Sequence, residues 1–201
     1  MNKYIDLLRL KINNYIVIDD FFPDGMCTYL RDKTLNSEYY DNTFMGGYQA
    51  LNFDYEDYKT DSLKDISDKY VVPKISLARN YHRAWSFVYD NVGRGVGAHA
   101  DPSFINVNIW VTPDECVEDH NKNGLRIYKK HIPKGTPWEM YNHWDGSIWR
   151  DQFLKDASYD TIPYKYNRAI IFEGRTFHST DNVHMKPGDN NKRVNYTFLY
   201  D

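Results

Sequence analysis

Residues 99–111 read HADPSFINVNIWV, and this stretch decides the fold. Asn106, Asn108 and Trp110 share one parity, which on a regular strand puts two amides and an indole on one face. A bulge after Asp101-Pro102 would instead turn them to the outer surface of a sheet. Working outward, the chain from about residue 72 consists of short runs rich in Val, Ile, Phe, Tyr and Trp, separated by Gly, Pro, Asn and Asp clusters. Strands are expected near 83–90, 104–111, 125–129, 168–173 and 193–200. Several short strands with irregular loops suit a double-sheet jelly roll better than a parallel α/β sheet.

Upstream the periodicity changes. Tyr4, Leu7, Leu8 and Ile12 recur at helical spacing, Tyr15 to Asp19 (YIVID) reads as a short buried strand, and Met26, Leu30 and Leu35 fit one side of a helix that Asp24 could cap. A third helix is expected from Ser62, with Asp65 completing a capping-box-like pair. The fold class is therefore mainly β (α+β): a double-stranded β-helix, or jelly roll, with N-terminal helices packed on one sheet. One domain spans 1–201, with 1–71 as an N-terminal helical elaboration and 72–201 as the jelly-roll core. Residues 113–124 and 130–166 are long connections, of the kind that form lids or binding loops.

Composition narrows the function classes. Eighteen Tyr, ten Phe and five Trp favour strands and concave apolar sites over a helical bundle. The formal net charge is −3 and there is no long Lys/Arg block, so neither nucleic acid nor an anionic membrane surface is an expected partner. Cys27 and Cys116 stand alone and read as ordinary reduced thiols. The N-terminus has no small-residue cleavage site, and no apolar run approaches the roughly 20 residues that span a bilayer. A cytoplasmic location is the expectation.

His99-Ala100-Asp101 places two potential metal ligands two residues apart, a spacing that points both to one face of an extended strand. A third ligand must come from elsewhere, and His178, after the apolar run Ala169 to Phe172 and a turn at Gly174, is the candidate. Two imidazoles and one carboxylate on one side of a metal leave the opposite positions open, the arrangement used by non-haem Fe(II). By itself His-x-Asp is a common triplet. The Gly-rich approach 93–97, the strand immediately downstream and a late His ahead of a strand opening at Arg193 give it its weight.

The chain resembles the 2-oxoglutarate- and Fe(II)-dependent dioxygenases, in the group that contains prolyl hydroxylases and phytanoyl-type hydroxylases. YIVIDDFFPDG is similar to the opening strand and turn of many members, HADPSFINVNIWVTPDE to the first metal-ligand strand, YNRAIIFEGRTFHSTD to the distal-histidine hairpin and KRVNYTFLYD to the last barrel strand. The resemblance implies that His99, Asp101 and His178 ligate iron. It implies that Arg193, fifteen residues after His178, pairs with the far carboxylate of 2-oxoglutarate, a task that suits a planar guanidinium. Arg175 and Lys192 are rivals for that role. Fe(II), 2-oxoglutarate and O2 would be the cofactors, and the reaction would be hydroxylation of a C–H bond with release of succinate and CO2. Having Asp101 in the ligand set argues against a halogenating relative. The primary substrate is left open, as a small molecule or a peptide side chain.

Weaker signals are read beside their plainer alternatives. Asn108 could hydrogen-bond cosubstrate or substrate, and Tyr89 and Tyr128 lie on expected strands where a phenol could reach the 2-oxoglutarate carboxylate. Trp110 and Trp144 are candidates for a substrate pocket. Trp138, Tyr141, His143, Trp144 and Trp149 crowd one connection, either as a pocket or lid or as a satellite core under a helix near Ser147 to Leu154. Gly93-x-Gly95-x-x-Ala98 runs into His99 and opens no helix, so it is no dinucleotide fingerprint. His82, His120, His131, His143 and His184 are expected as ordinary surface or core histidines, with His184 a remote substitute ligand. The competing class is a non-redox cupin-like metal-binding or carbohydrate-binding module.

Overall fold

The computed structural model describes residues 10–37, 47–52, 61–75, 77 and 80–201. The expected helix over Tyr4, Leu7 and Leu8 lies outside these residues. Strands β1 (Tyr15–Ile18), β2 (Tyr48–Asn52), β3 (Tyr81–Tyr89), β5 (Ile105–Trp110), β8 (Ala169–Glu173) and β11 (Arg193–Tyr200) build a six-stranded sheet in the order β1-β8-β5-β11-β3-β2. Facing it, β6 (Leu125–His131), β7 (Tyr159–Ile162) and β9 (Thr176–Thr180) form a three-stranded sheet, and β4 (Val92–Gly93) pairs with β10 (Val183–His184). Every one of these pairings is antiparallel. The architecture is the mainly β jelly roll expected from the sequence.

Period-2 alternation divides each central strand between two cores. Ala84 and Val88, Ile105, Val107 and Ile109, Ala169 and Ile171, and Val194, Tyr196, Phe198 and Tyr200 face outward. There they meet helix α1 (Met26–Leu35) through Cys27 and Leu30, and Leu63 and Ile66 of α2 (Asp61–Ile66). The opposite parity, with Tyr89, Trp110, Ile170 and Phe172, faces inward against Leu125, Ile127 and Ile162 of the smaller sheet. The amides are therefore on the inner face: no bulge shifts β5, which keeps register with β11 from Ile105 to Trp110.

Three local expectations are corrected. Asp24 does not cap α1; Gly25 holds that position at φ 80°, a left-handed conformation that glycine adopts without steric cost, and no side chain bonds the helix start. The connection 130–166 holds, besides the helix weighed near Ser147 to Leu154 (here α4, Ser147–Leu154), a short helix α3 (Trp138–Tyr141) and strand β7 that were not expected. β2 also joins the main sheet within the N-terminal segment, pairing with β3 from Tyr48 to Asn52. Among the described residues, no helix is long and apolar enough to cross a membrane.

Candidate active site

His99, Asp101 and His178 converge between the two sheets, with ligand atoms all within 4.8 Å of one another. Backbone pairing makes the meeting possible. His99 and His178 bridge two antiparallel segments, N–H to carbonyl at 3.0 and 2.8 Å, and the Asp101 N–H donates to the Gly174 carbonyl at 2.9 Å. Two glycines permit the approach. A Cβ at Gly95 would lie 2.3 Å from Thr180 Cβ, and one at Gly174 would lie 2.2 Å from the Ser103 carbonyl oxygen. Within the Gly-rich approach 93–97 it is Gly95 that close packing requires, since a Cβ at Gly93 or Gly97 would meet nothing within 4 Å.

Each imidazole is oriented from behind. His99 Nδ1 bonds the Gly97 carbonyl at 2.8 Å and His178 Nδ1 bonds the Thr176 carbonyl at 3.1 Å, contacts that hold Nδ1 to the backbone and leave Nε2 of each ring turned toward Asp101. Those Nε2 atoms lie 3.8 and 3.5 Å from the two Asp101 oxygens. Burial, reinforced by neighbouring His99 and opposed by Asp101, pushes His178 down to about 4, leaving it neutral at physiological pH. Neutral imidazole is the form that ligates.

Asp101, 3% exposed, is held by two amides. Asn106 Nδ2 donates to Oδ2 at 2.5 Å and Asn142 Nδ2 to Oδ1 at 3.3 Å. Ser103 in turn hydrogen-bonds the Asn106 side-chain oxygen. Asn142 also donates to the Ala100 carbonyl at 2.6 Å, while the Ala100 N–H donates to the Tyr141 carbonyl at 3.1 Å. The end of α3 is therefore clamped onto the ligand loop. Arg150 of α4 holds the clamp in shape through the Met140 and His143 carbonyls. Trp149 and Phe153 stack at 5.0 Å and pack with Phe177, the satellite-core alternative for these rings. The side chain of Trp144 lies outside the described residues.

At the far end of the inner face Arg193 is 1% exposed. Its Nε donates to the Asn123 carbonyl at 3.0 Å and its Nη1 to Asn195 Oδ1 at 3.2 Å. Its guanidinium carbon sits 4.5, 5.7 and 5.8 Å from the ring centroids of Tyr89, Trp110 and Tyr164. Among the described residues no carboxylate pairs with it. A buried cation without an anion is costly, so this cage suits an anionic ligand. Trp110 Nε1, buried and unpartnered among the described residues, is a second donor in the same cage. The rivals sit elsewhere: Arg175 is exposed and donates to the Ile132 carbonyl, and Lys192 pairs with Asp189.

Between the cage and the triad lies a small, partly open cleft, lined among others by Trp85, Phe87, Tyr89, Asn108, Thr180 and Asn195. Tyr89 bonds Thr180 at 3.1 Å. Tyr128 is not brought here. Leu125 and Ile127 take the inward parity of β6, which leaves Tyr128 on the other face against Tyr159. Trp110 stacks on Tyr164 at 5.0 Å, beside Arg193 and away from the cleft.

No family model matches the sequence and no curated protein matches it. Solved structures do match the fold. SnoK, an alpha-ketoglutarate-dependent non-haem carbocyclase of nogalamycin biosynthesis, aligns over 100% of this chain and 83% of its own, at TM-score 0.70 and 13% identity. HygX from Streptomyces hygroscopicus, solved with nickel and 2-oxoglutarate, aligns over 100% and 87% at TM-score 0.65 and 8% identity. A prolyl hydroxylase from Trichoplax adhaerens, in complex with a hypoxia inducible factor peptide, aligns over 99% and 89% at TM-score 0.57 and 14% identity. The chain thus has the double-stranded β-helix fold of the non-haem 2-oxoglutarate oxygenases. At such identities the likeness is one of fold.

Proposed function

We propose that the protein is a non-haem Fe(II)- and 2-oxoglutarate-dependent dioxygenase that hydroxylates a C–H bond of its primary substrate. The observation that carries this reading is the pair of complementary half-sites enclosed between the two sheets. At one end are two outward-turned Nε2 atoms and a buried carboxylate with no Lys or Arg partner among the described residues; at the other is a buried guanidinium with no carboxylate. A divalent metal offsets the first, and a dicarboxylate ligand reaching from that metal offsets the second. The donor set of two imidazoles and one carboxylate fits iron and leaves positions open for ligands.

When bound, iron together with 2-oxoglutarate and O2 supplies the oxidising power for hydroxylation, with release of succinate and CO2. The chain's own contribution is positional. His99, Asp101 and His178 hold the metal, and Asn106 and Asn142 fix the carboxylate that offsets part of its charge. Arg193 anchors the far carboxylate of the cosubstrate, with Tyr89 fencing that end. Val96, Leu125 and Phe87 supply part of the apolar lining of the intervening cleft. The oxygenases of like fold include one solved with a peptide fragment and one with hygromycin B, so peptide side chains and small molecules are both open as substrate. A non-redox cupin-like module would leave the buried, anion-free Arg193 without a purpose.

Anaerobic calorimetry tests the reading. One equivalent of Fe(II) is expected to bind, followed by one of 2-oxoglutarate that binds only to the metal-loaded protein, with both lost in His178→Ala. Binding of 2-oxoglutarate to metal-free protein with undiminished affinity would contradict it.

A further inference from the structure

The inner face between the two half-sites has a composition that selects a ligand. The rings of Trp85, Phe87 and Tyr89 stand in a row along β3, with centroids 6.5 and 6.2 Å apart, backed by Tyr48 at 5.6 Å from Phe87. The polar side chains among them, Asn108, Thr180, Asn195 and Thr197, are all uncharged. Apart from the candidate metal ligands, no acid, Lys or Arg lines the cleft among the described residues. Arg83, next inward along β3, has an interaction of its own.

One buried polar atom in this lining has no partner. Asn108 is 9% exposed, and its Nδ2 donates to Thr197 Oγ1 at 2.8 Å. Its Oδ1 is buried with no hydrogen-bond partner among the described residues. A buried carbonyl oxygen left in this state loses its water and gains nothing, so a ligand that brings a donor is favoured. 2-Oxoglutarate at neutral pH offers two carboxylates and a keto oxygen, which are acceptors only. The donor must come from the other molecule in the cleft.

We infer that the primary substrate is an uncharged, ring-bearing molecule that presents a hydroxyl or N–H to Asn108 Oδ1 while its ring lies along Trp85 and Phe87. The inference rests on the oxygenase reading and adds the substrate class to it. A flat apolar ring gains buried area and offset stacking against those side chains. Apart from the candidate metal ligands the lining has no charged side chain, so a charged substituent lying along the rings would lose its hydration without gaining an ion pair.

The test uses protein loaded with Ni(II) and 2-oxoglutarate, a combination that keeps the cleft formed without turnover. Calorimetric affinities are compared for 2-naphthol, 2-methoxynaphthalene, which lacks the donor, and 2-naphthoate, which is charged. 2-Naphthol is expected to bind about tenfold more tightly than either, as one hydrogen bond to a buried acceptor implies. In Asn108→Leu the naphthol and the ether are expected to fall within about twofold of one another, with the naphthoate still the weakest. Equal or tighter binding of the ether or the naphthoate to the wild-type protein overturns the inference. So does a naphthol preference over the ether that survives Asn108→Leu, or failure of all three to bind loaded protein. The wild-type comparison decides the matter even if the variant does not fold. Failure of Ni(II) and 2-oxoglutarate to load, measured beforehand, takes down the oxygenase reading itself and the inference with it.

Discussion

Replacing Arg193 by Met separates binding from folding in a way few substitutions do. The guanidinium is 1% exposed, and its protein partners are two neutral oxygens, the Asn123 carbonyl at 3.0 Å and Asn195 Oδ1 at 3.2 Å. Losing hydrogen bonds to a charged donor costs about 1.5–3 kcal/mol each. Against this, an uncompensated buried cation carries a desolvation penalty of several kcal/mol, which the thioether removes while filling much of the same volume. The terms offset, and the ligand-free variant is expected within about 2 kcal/mol of wild type in urea unfolding. Cosubstrate binding has no such offset. Breaking a desolvated carboxylate–guanidinium pair costs about 3 kcal/mol, or roughly 100- to 200-fold in Kd for 2-oxoglutarate. Arg193→Lys keeps the charge, loses the planar fork and should fall between the two. Calorimetry with Ni(II)-loaded protein reads the affinity. A Met variant that binds 2-oxoglutarate within threefold of wild type refutes the reasoning. So does one whose ligand-free form loses more than about 4 kcal/mol, because Arg193 would then be a structural strut.

Other outcomes follow from the same geometry. Asn142→Ala should weaken Fe(II) binding by about 10- to 100-fold through release of Asp101 Oδ1, measured by competition with a chromophoric chelator, while 2-oxoglutarate still requires metal. Gly95→Ala places a methyl 2.3 Å from Thr180 Cβ and should cost about 1–3 kcal/mol in urea unfolding, by driving apart the segments that carry His99 and His178. Asp19 is held down to about 2, chiefly by its hydrogen bond to Arg168 and then by Lys165. Its folded pKa lies below the unfolded value, so its stabilisation is present above pH 4 and is lost as pH falls toward 2. The pair is partly exposed and solvent-screened, so Asp19→Asn should lower neutral-pH stability by less than about 1 kcal/mol and flatten the acid limb of a stability–pH curve.

What could be read in the sequence depended on periodicity. The parity of Asn106, Asn108 and Trp110 set the inner face of β5 correctly because apolar residues of the other parity had a helical layer to meet. The same rule applied to LRIYKK would have turned Tyr128 outward, since Leu125 and Ile127 claim the inward positions of β6. Strand β7 escaped notice because YDTI is short, half polar and at a sheet edge, where one neighbour suffices. Asn142 was invisible for a different reason: its contact with Asp101 crosses forty-one residues and depends on how α3 docks. The aromatic crowding of that segment hinted at packing, and Trp149 with Phe153 against Phe177 accounts for it locally.

The most direct test of the central claim is succinate formation. Protein reconstituted anaerobically with Fe(II) and 2-oxoglutarate, then exposed to O2, is expected to release succinate slowly even without primary substrate, and His178→Ala is expected to release none. Succinate that forms equally with the variant, or none from wild-type protein shown to hold both iron and 2-oxoglutarate, would contradict the account.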